Sequence, residues 1–409
     1  MPAPAVSVII PAYNAGRFIE EAVSSVLAQT CRDLEVIVVD DGSSDDTQER
    51  IARFVPAVTV LTQPNGGVAT ALNTGIRHAR GVYVTFLDAD DVWVPHRVAR
   101  VTESLERDPG AGAAYHGYAG IDERGAPIGP PFTPAHGGDL LEPLLRGLFI
   151  GQSMVTIRRT CLDRVGLFDP TLRISADWDL FVRIALHGYR FQCVPEALVR
   201  YRMHQHNITR DFAAVVKDGR IVLDRAFADS RLPPALQSDA VRAKAYAQLS
   251  ISVAARYLQS DRRAEGLALL LDGVRREPSM LLRPSFYLDF AQRALPASRA
   301  GQTRSDLAER SDRAVALLTA TLDGLFRMPD LPPVVARQKR RAWSAAWIAV
   351  AALHRLAGRH PLAATSLGRA FLVHPPTATG ALARAGAGHW APVRATWQSA
   401  RSRGLESAS

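Results

Sequence analysis

The chain has few of the residues that cross-link or staple a fold. Its 409 residues include only three cysteines, Cys31, Cys161 and Cys193, which stand far apart and are odd in number. Neither a disulfide framework nor a zinc-binding spacing fits them. We therefore expect ordinary core thiols in a reducing compartment.

Long apolar segments are also missing. The longest apolar run, residues 343–353, is too short to cross a bilayer, which takes about 20 residues. Residues 1–5 lack the basic segment of a secretory signal, and strand-like sequence follows at once. These features predict a cytoplasmic protein, with peripheral attachment at the inner face of the membrane as the alternative.

Lysine is scarce, since 46 of the 49 basic residues are arginine. Residues 1–210 hold 20 basic and 24 acidic residues, whereas residues 211–409 hold 29 and 16. We interpret the basic half as solvated, arginine-rich helix faces. A protein partner or an anionic membrane surface is the alternative for this half, and we expect no nucleic acid partner.

Two common phosphate-binding loops are absent. No G-x-G-x-x-G follows the first strand-like run, and no G-x-x-x-x-G-K-[ST] occurs. Dinucleotide binding and P-loop nucleotide binding therefore lack their glycine-rich loops. Any phosphate ligand must be held by other groups.

The N-terminal half alternates short apolar runs with segments of helical spacing, which favours an α/β layer with a mainly parallel sheet and helices on both faces. Strands are predicted over residues 6–10, 34–39, 58–61 and 82–87, and helices over residues 17–28, 47–54 and 67–79.

From about residue 212 the texture changes to Ala, Leu and Arg at helical spacing. We predict an α/β domain over residues 1–212, a connecting helix over 212–235 and an all-α region over 236–409. Residues 245–278 align with residues 342–375 and resemble helical hairpins of the tetratricopeptide kind. The polar stretch 296–304 reads as a linker or loop.

Three predicted strands end in polar sequence: PAYN, DDGS and DADD. Ligands of parallel sheets bind beyond the carboxyl ends of strands, so the three endings should share one edge. In the last ending, Asp91 is expected to cap the next helix, while Asp88 and Asp90 face one point in the crevice. A divalent cation would relieve their repulsion, and Mg²⁺ typically takes one or two carboxylates together with phosphate oxygens.

The pair Asp40-Asp41 sits where a base or a ribose can be held. Part of this segment must be a turn, in which Gly42 supplies backbone freedom and Ser43 or Ser44 caps the following helix. A turn accounts for one of the two aspartates and leaves the other for a ligand.

Four blocks carry a family resemblance: VSVIIPAYNAGRFIEEAVSSVLAQT, LEVIVVDDGSSDDT, QPNGGVATALNTGIRHARGVYVTFLDADD and SADWDLFVRIALHGY. In this order and spacing they resemble the family 2 glycosyltransferases of the GT-A fold, over about residues 5–210. The resemblance implies transfer of a sugar from a nucleoside-diphosphate donor, usually with inversion. It does not cover the helical region.

The resemblance also implies roles for single positions. The donor's base would lie against the loop of Pro11, Ala12 and Tyr13, and would contact Asp41, often through uracil. In the D-x-D motif, Asp88 would face the ribose, and Asp90 the metal and the diphosphate.

Asp177 matches the family's general base, although Ala176 stands where most relatives have Glu. A positioned carboxylate suits the removal of a proton from an acceptor hydroxyl. As a simple acid in the first turn of a helix, Asp179 fits about equally well.

Three further segments are candidates. Tyr201-Arg202-Met203-His204 resembles the Y-R-x-H segment that closes many family 2 domains, and His204 or Arg202 can reach the diphosphate or complete the metal shell. Gln152-Ser153 and Trp178 are candidates for the acceptor site.

The sequence thus predicts an inverting glycosyltransferase that uses Mg²⁺ or Mn²⁺, a nucleoside-diphosphate sugar, with UDP as the expected nucleotide, and a saccharide, lipid-linked or protein acceptor. Its expected place is the assembly of a cell-surface polysaccharide or glycoconjugate. One alternative is an inactive GT-A domain that binds sugar nucleotides or acts as a scaffold through its helical tail. A haloacid dehalogenase type phosphatase also has a D-x-D motif, but on its first strand, and it would leave DDGS unexplained.

Overall fold

A computed structural model describes residues 4–205, 207–294 and 304–384. The chain divides into two compact units, with the division between Ala245 and Tyr246. The predicted linker lies outside the described residues except for its last residue, Arg304, which begins a helix.

The strands are β1 Val6–Ala12, β2 Leu34–Asp40, β3 Thr59–Thr62, β4 Tyr83–Phe86, β5 Val92–Trp93, β6 Ala111–Ile121, β7 Pro127–Phe132, β8 Val155–Arg158 and β9 Arg190–Arg202. The helices up to the connecting segment are α1 Ile19–Leu27, α2 Thr47–Ala52, α3 Val68–His78, α4 Arg97–Glu106, α5 Leu141–Leu145, α6 Arg159–Val165, α7 Ala176–Leu186 and α8 Phe212–Ala228. The later helices are α9 Asp239–Gln259, α10 Arg263–Arg276, α11 Pro284–Ala294, α12 Arg304–Phe326, α13 Pro333–Ala336, α14 Lys339–Leu356, α15 His360–Val373 and α16 Pro375–Arg384.

The strands of the first unit form one mixed sheet in the order β3-β2-β1-β4-β8-β6-β9-β5, with β7 paired to β6. The first four strands are parallel, as their unbroken apolar runs predict. Strands β4 and β6 each pair antiparallel with β8, while β6 and β9 run parallel. The predicted α/β class of the GT-A type with a following helical region is confirmed.

Strand β1 continues past Pro11 to Ala12, two residues beyond the predicted end. Ile9 accepts a hydrogen bond from Leu87, so Pro11, two positions on, faces the same side of the strand. Pairing with β4 ends at Ile9 and Phe86, so the missing N–H of Pro11 leaves no ladder bond unmade. The proline therefore stands where the strand can tolerate it.

The two aligned segments of the helical unit fold as hairpins with the same turn. In the first, between α9 and α10, Asp261 has φ 59° and Arg262 donates its N–H to the Tyr257 carbonyl at 2.9 Å. In the second, between α14 and α15, Gly358 has φ 71° and Arg359 bonds His354 in the same way at 2.8 Å. The internal repeat predicted from sequence is therefore present in the backbone.

Both hairpins are built from small residues at the helix contacts. Ala254 of α9 and Ala351 of α14 are fully buried, and Gly266 faces Leu258 so closely that an added Cβ would lie 2.7 Å from the Leu258 Cγ. Small side chains let helices approach closely, which explains the alanine-rich composition of this region. Among the described residues, no helix combines the length and apolarity that crossing a membrane requires.

Candidate active site

The three polar strand endings meet at one edge of the sheet, as predicted. Ala12 at the end of β1 pairs with Asp40 at the end of β2, and the Asp41 N–H bonds the Ala12 carbonyl at 2.8 Å. On the other side of β1, the Leu87 N–H bonds the Ile9 carbonyl, which brings the carboxylate cluster after β4 to the same edge.

Asp88 is held from the segment that precedes β8. The Gln152 amide donates to Asp88 Oδ1 at 2.6 Å, and the Asp88 N–H donates to Ser153 Oγ at 3.0 Å. Desolvation by the surrounding protein, followed by the negative charge of Asp90, raises the pKa of Asp88 to about 7. Gln152 and Ser153 were candidates for the acceptor site, whereas the structure places both against the first aspartate of D-x-D.

Asp90 faces His204, whose Nε2 lies 2.8 Å from Asp90 Oδ2. The imidazole ring stacks on Phe18, with ring centroids 5.5 Å apart. The structure therefore brings together Asp90 and the histidine that the sequence offered as a third metal ligand. Among the described residues, no group of three or more His, Cys, Asp or Glu side chains forms a metal-binding cluster by itself.

The guanidinium of Arg202 is hydrogen-bonded within the protein and is not placed to bind a diphosphate. Its side chain is 2% exposed, and its guanidinium donates to the carbonyls of Asp90, Asp122 and Glu123 and to the Glu21 carboxylate. The planar group also lies over the Phe18 ring at 4.7 Å. Arg202 thus ties α1, the D-x-D turn and the end of β6 together.

The expectation that Asp91 caps a helix is wrong. The residue leads into β5, and α4 begins only at Arg97, without a side-chain cap. Asp91 is instead fully buried and accepts the Arg202 N–H at 2.9 Å through Oδ1, while Oδ2 has no hydrogen-bond partner. Burial and the nearby charges of Asp90 and Asp88 raise its pKa well above the usual range, because ionisation there is uncompensated.

Asp40 and Asp41 divide into a turn residue and a loop anchor. Asp40 accepts the Ser43 N–H at 3.1 Å and the Gln48 amide, as a turn requires. Asp41 is 3% exposed and accepts the N–H groups of Gly66 and Gly67 at 2.9 and 2.8 Å. The Gln63 amide donates to the same carboxylate at 2.7 Å, so Asp41 fixes the loop that leads into α3.

Residues 14–16 are hydrogen-bonded to the DDGS segment and the residues that follow it. Asn14, with φ 47°, receives Ser44 N–H on its side-chain oxygen and donates its own N–H to Ser43 Oγ. Neither serine caps α2, whose N-cap residue is Asp46 and makes no side-chain cap bond, so the expected serine cap is wrong. Within the predicted base loop, Pro11 and Ala12 are buried in β1 while Tyr13 is 52% exposed.

Asp177 lies in the first turn of α7, where Trp178 donates its N–H to Asp177 Oδ1 at 2.7 Å. Its side chain keeps some exposed surface, yet the surrounding protein desolvates it enough to raise its pKa to about 7. The charge of Asp177 is also the smallest of the causes that raise the pKa of Asp88, so the two carboxylates lie close enough to interact. The structure therefore brings Asp177 into the neighbourhood of D-x-D.

The structure gives Asp177, the base chosen from the sequence, and Asp179 different surroundings. Asp179 is 5% exposed and pairs with Arg183 at 2.7 Å and with Arg225 at 3.3 Å. Its negative charge is therefore balanced by these two arginines. Trp178 is 3% exposed and its indole N–H bonds the Leu144 carbonyl, so it packs inside the unit and does not line an acceptor site. The sequence missed Phe18 and Glu21, because an apolar stripe on a helix gives no signal for a stacked imidazole.

The comparisons with known proteins concern mainly the first unit. The family model described as glycosyl transferase family 2 matches residues 7–161. An uncharacterized glycosyltransferase of Rickettsia prowazekii is 32% identical over 215 residues, which is 50% of this chain and 66% of that protein. The chondroitin synthase of Escherichia coli is 40% identical over 190 residues, which is 45% of this chain and 27% of the synthase. The chain therefore spans from about a quarter to about two thirds of the length of these curated relatives.

A solved structure shares the fold. The crystal structure of S. aureus TarS 1–349 in complex with UDP-GlcNAc matches with a TM-score of 0.54 at 16% identity, covering 83% of this chain and 90% of that chain. At this identity the likeness concerns the fold alone.

Arg202→Lys tests whether Arg202 is a structural tie. A lysine cannot make the forked set of bonds, so we expect the free energy of unfolding to fall by about 2–3 kcal/mol. The matched control is Arg200→Lys, an exposed position two residues earlier on β9, which should change stability by less than about 0.5 kcal/mol. Urea unfolding measures both; equal stabilities with lost substrate binding in Arg202→Lys would mean that Arg202 is a substrate ligand.

Proposed function

The first unit of this chain belongs to glycosyl transferase family 2, and we propose that it moves a sugar from a nucleoside-diphosphate donor to a hydroxyl acceptor with inversion at the anomeric carbon. The observation that carries the proposal is the place of Asp177, a carboxylate with no ion pair among the described residues, close enough to Asp88 to affect its pKa at the edge where three strand endings meet.

Asp177 is proposed as the general base. A carboxyl group with a pKa of about 7 is part ionised at neutral pH and still basic enough to accept the proton of a hydroxyl as attack begins. In a single displacement, the acceptor oxygen forms its bond to the anomeric carbon as the bond to the diphosphate breaks. The proton of the acceptor hydroxyl ends on Asp177.

The donor is proposed to lie along the edge of the sheet. Its base would rest on Pro11, Ala12 and Tyr13, with the loop anchored by Asp41 beside it. Asp88 would contact the ribose, and Asp90 would face the diphosphate. UDP sugars are the first donors to test, because TarS was solved with UDP-GlcNAc, and the similarity to a chondroitin synthase supports a saccharide acceptor.

Asp88, Asp90 and His204 fit a divalent cation by their chemistry. Carboxylate oxygens suit Mg²⁺ and Mn²⁺. Burial and the nearby charge of Asp90 raise the pKa of Asp88, and a bound cation would favour its ionised form. Since these residues form no complete cluster, phosphate oxygens of the donor would have to supply further ligands. When bound, the ion would act as a Lewis acid on the leaving diphosphate.

Asp177→Asn tests the base. We expect kcat to fall by about 10²–10⁴-fold, the usual contribution of a positioned base, with donor affinity by calorimetry within about threefold of wild type. In wild type, kcat/KM should rise with pH up to about 7 and then level, because the ionised form is the active one. Asp163→Asn, an exposed acid on α6, is the control and should retain full turnover.

Stability provides a check on that variant. The folded-state pKa of Asp177 is raised above its unfolded value, so ionising it in the folded protein costs stability as the pH rises from about 4 to above 7. Asparagine removes this cost, and Asp177→Asn should melt no lower than wild type at pH 8. Retained turnover in a folded variant would refute the assignment. Donor binding without turnover in wild type would instead favour the inactive, sugar-nucleotide-binding alternative.

Asp90→Ala tests the metal. We expect release of the nucleoside diphosphate from donor to require Mg²⁺ or Mn²⁺, to stop with EDTA, and to fall at least about 100-fold in the variant. Asp33→Ala, an exposed acid before β2, is the control and should release at the wild-type rate. Metal-independent release that Asp90→Ala leaves unchanged would contradict the proposal.

A further inference from the structure

Helix α8 carries three charged residues at intervals of seven. Asp211 caps its N-terminus by accepting the Ala214 N–H at 3.2 Å, and Asp218 and Arg225 follow. Seven residues are nearly two helical turns, so the three side chains share one face. All three contact the segment from residue 169 to residue 179, which contains Asp177.

Asp218 is the central contact and is 3% exposed. Its Oδ2 accepts the N–H groups of Ile174 at 2.8 Å and Ser175 at 3.4 Å, immediately before α7 begins at Ala176. Ser175, the N-cap residue of α7, makes no side-chain cap bond of its own. A carboxylate from another helix therefore serves the free amides at the start of α7, where a negative charge is also favoured by the helix dipole.

The outer two residues hold the segment on both sides of that point. Asp211 pairs with Arg173 at 2.8 Å. Arg225 pairs with Asp169 at 2.7 Å and with Asp179 at 3.3 Å.

The cleft that Arg225 crosses, between α7 and α8, holds a cavity of about 320 Å³. Of the charged groups that line it, Asp169, Asp179, Arg183 and Arg225 are paired with one another. Asp229 is paired with Arg231. We assign the cleft to the contact between the two helices and not to a substrate.

Asp177 itself has no such support. In the described part of the chain, its carboxylate accepts hydrogen bonds from backbone N–H groups of its own helix turn, those of Trp178 and of Asp177 itself, and none from another element. Its direction therefore depends on the backbone of residues 174–176, which Asp218 holds.

We propose that α8 is a clamp that positions Asp177, with Asp218 as the positioning residue that fixes the backbone before the first turn of α7. This inference rests on the proposed role of Asp177 as the base. A displacement of about 1 Å at a reacting group can cost on the order of 100-fold in rate, so a clamp of this kind acts on kcat.

Three variants test the clamp. Asp218→Ala removes both accepted bonds, and Asp218→Asn keeps an oxygen that can accept them. Asp224→Ala is the matched control, because Asp224 lies on the same helix, its side chain is 62% exposed and it pairs with Arg242 at 3.8 Å. Release of UDP or GDP is followed from UDP-glucose, UDP-GlcNAc and GDP-mannose.

For Asp218→Ala we expect kcat to fall about 10- to 100-fold with the KM for donor within about twofold. Asp218→Asn should recover kcat to within about threefold of wild type, and Asp224→Ala should match wild type. In the background of Asp177→Asn, Asp218→Ala should cause no further loss, because it acts through the residue already removed. An equal further loss there, or a rise in KM with unchanged kcat, would overturn the clamp.

Amide hydrogen exchange of the full chain provides a readout that needs no substrate. In Asp218→Ala, peptides within residues 170–182 should exchange at least about tenfold faster, while peptides within residues 6–12 keep the wild-type rate. Unchanged exchange at 170–182 overturns the clamp even if turnover falls. If wild type releases no nucleoside diphosphate, the proposed function fails while exchange still decides whether α8 holds this segment.

Should Asp218→Ala fail to fold, Arg225→Met replaces it in every assay. This variant keeps the apolar stem and removes the pairs with Asp169 and Asp179. We expect the same increase in exchange at 170–182 with a smaller loss of kcat, and wild-type values for both would overturn the proposal.

Discussion

The first unit depends on one electrostatic constraint, which is the close approach of several carboxylates at the ends of buried parallel strands. The protein compensates them unequally. Asp91 has a backbone N–H from Arg202, Asp90 has the His204 imidazole and Asp88 has the Gln152 amide, whereas among the described residues Asp177 has backbone N–H groups of its own helix turn. Desolvation by the surrounding protein and the negative charge of Asp90 raise the pKa of Asp88. The arrangement suits a ligand that brings positive charge with it.

Two buried residues hold the loops around this edge in place. Arg202 joins the D-x-D turn to α1 and the end of β6, while Asp41 anchors the glycines before α3. Arg202 and Asp41 are nearly inaccessible to solvent, so their main role is to fix these loops and not to bind a substrate. Asp88, Asp90 and Asp177 keep some exposed surface at this edge.

The parallel strands, the meeting of their ends and the helical hairpins could be predicted from the sequence. The strands appear as short apolar runs, and the hairpins appear as two similar segments that lie 97 positions apart. The sequence was insufficient for Asp91, Trp178 and Arg202, whose partners lie 34 to 181 positions away. A short motif shows which acids stand together but not which one a distant arginine or carbonyl already satisfies. The contact of α8 with the start of α7 could not be predicted for the same reason, because Asp218 accepts hydrogen bonds from backbone groups more than 40 positions away.

We expect the carboxylate edge to bind a divalent ion and a diphosphate together. Titration of Mn²⁺, followed by electron paramagnetic resonance with and without UDP, measures this coupling directly. UDP should tighten Mn²⁺ binding at least about tenfold, and by reciprocity Mn²⁺ should tighten UDP binding by the same factor. Asp90→Ala should remove the coupling. Mn²⁺ affinity that is unaffected by UDP, or coupling that persists in Asp90→Ala, would contradict joint binding at this edge.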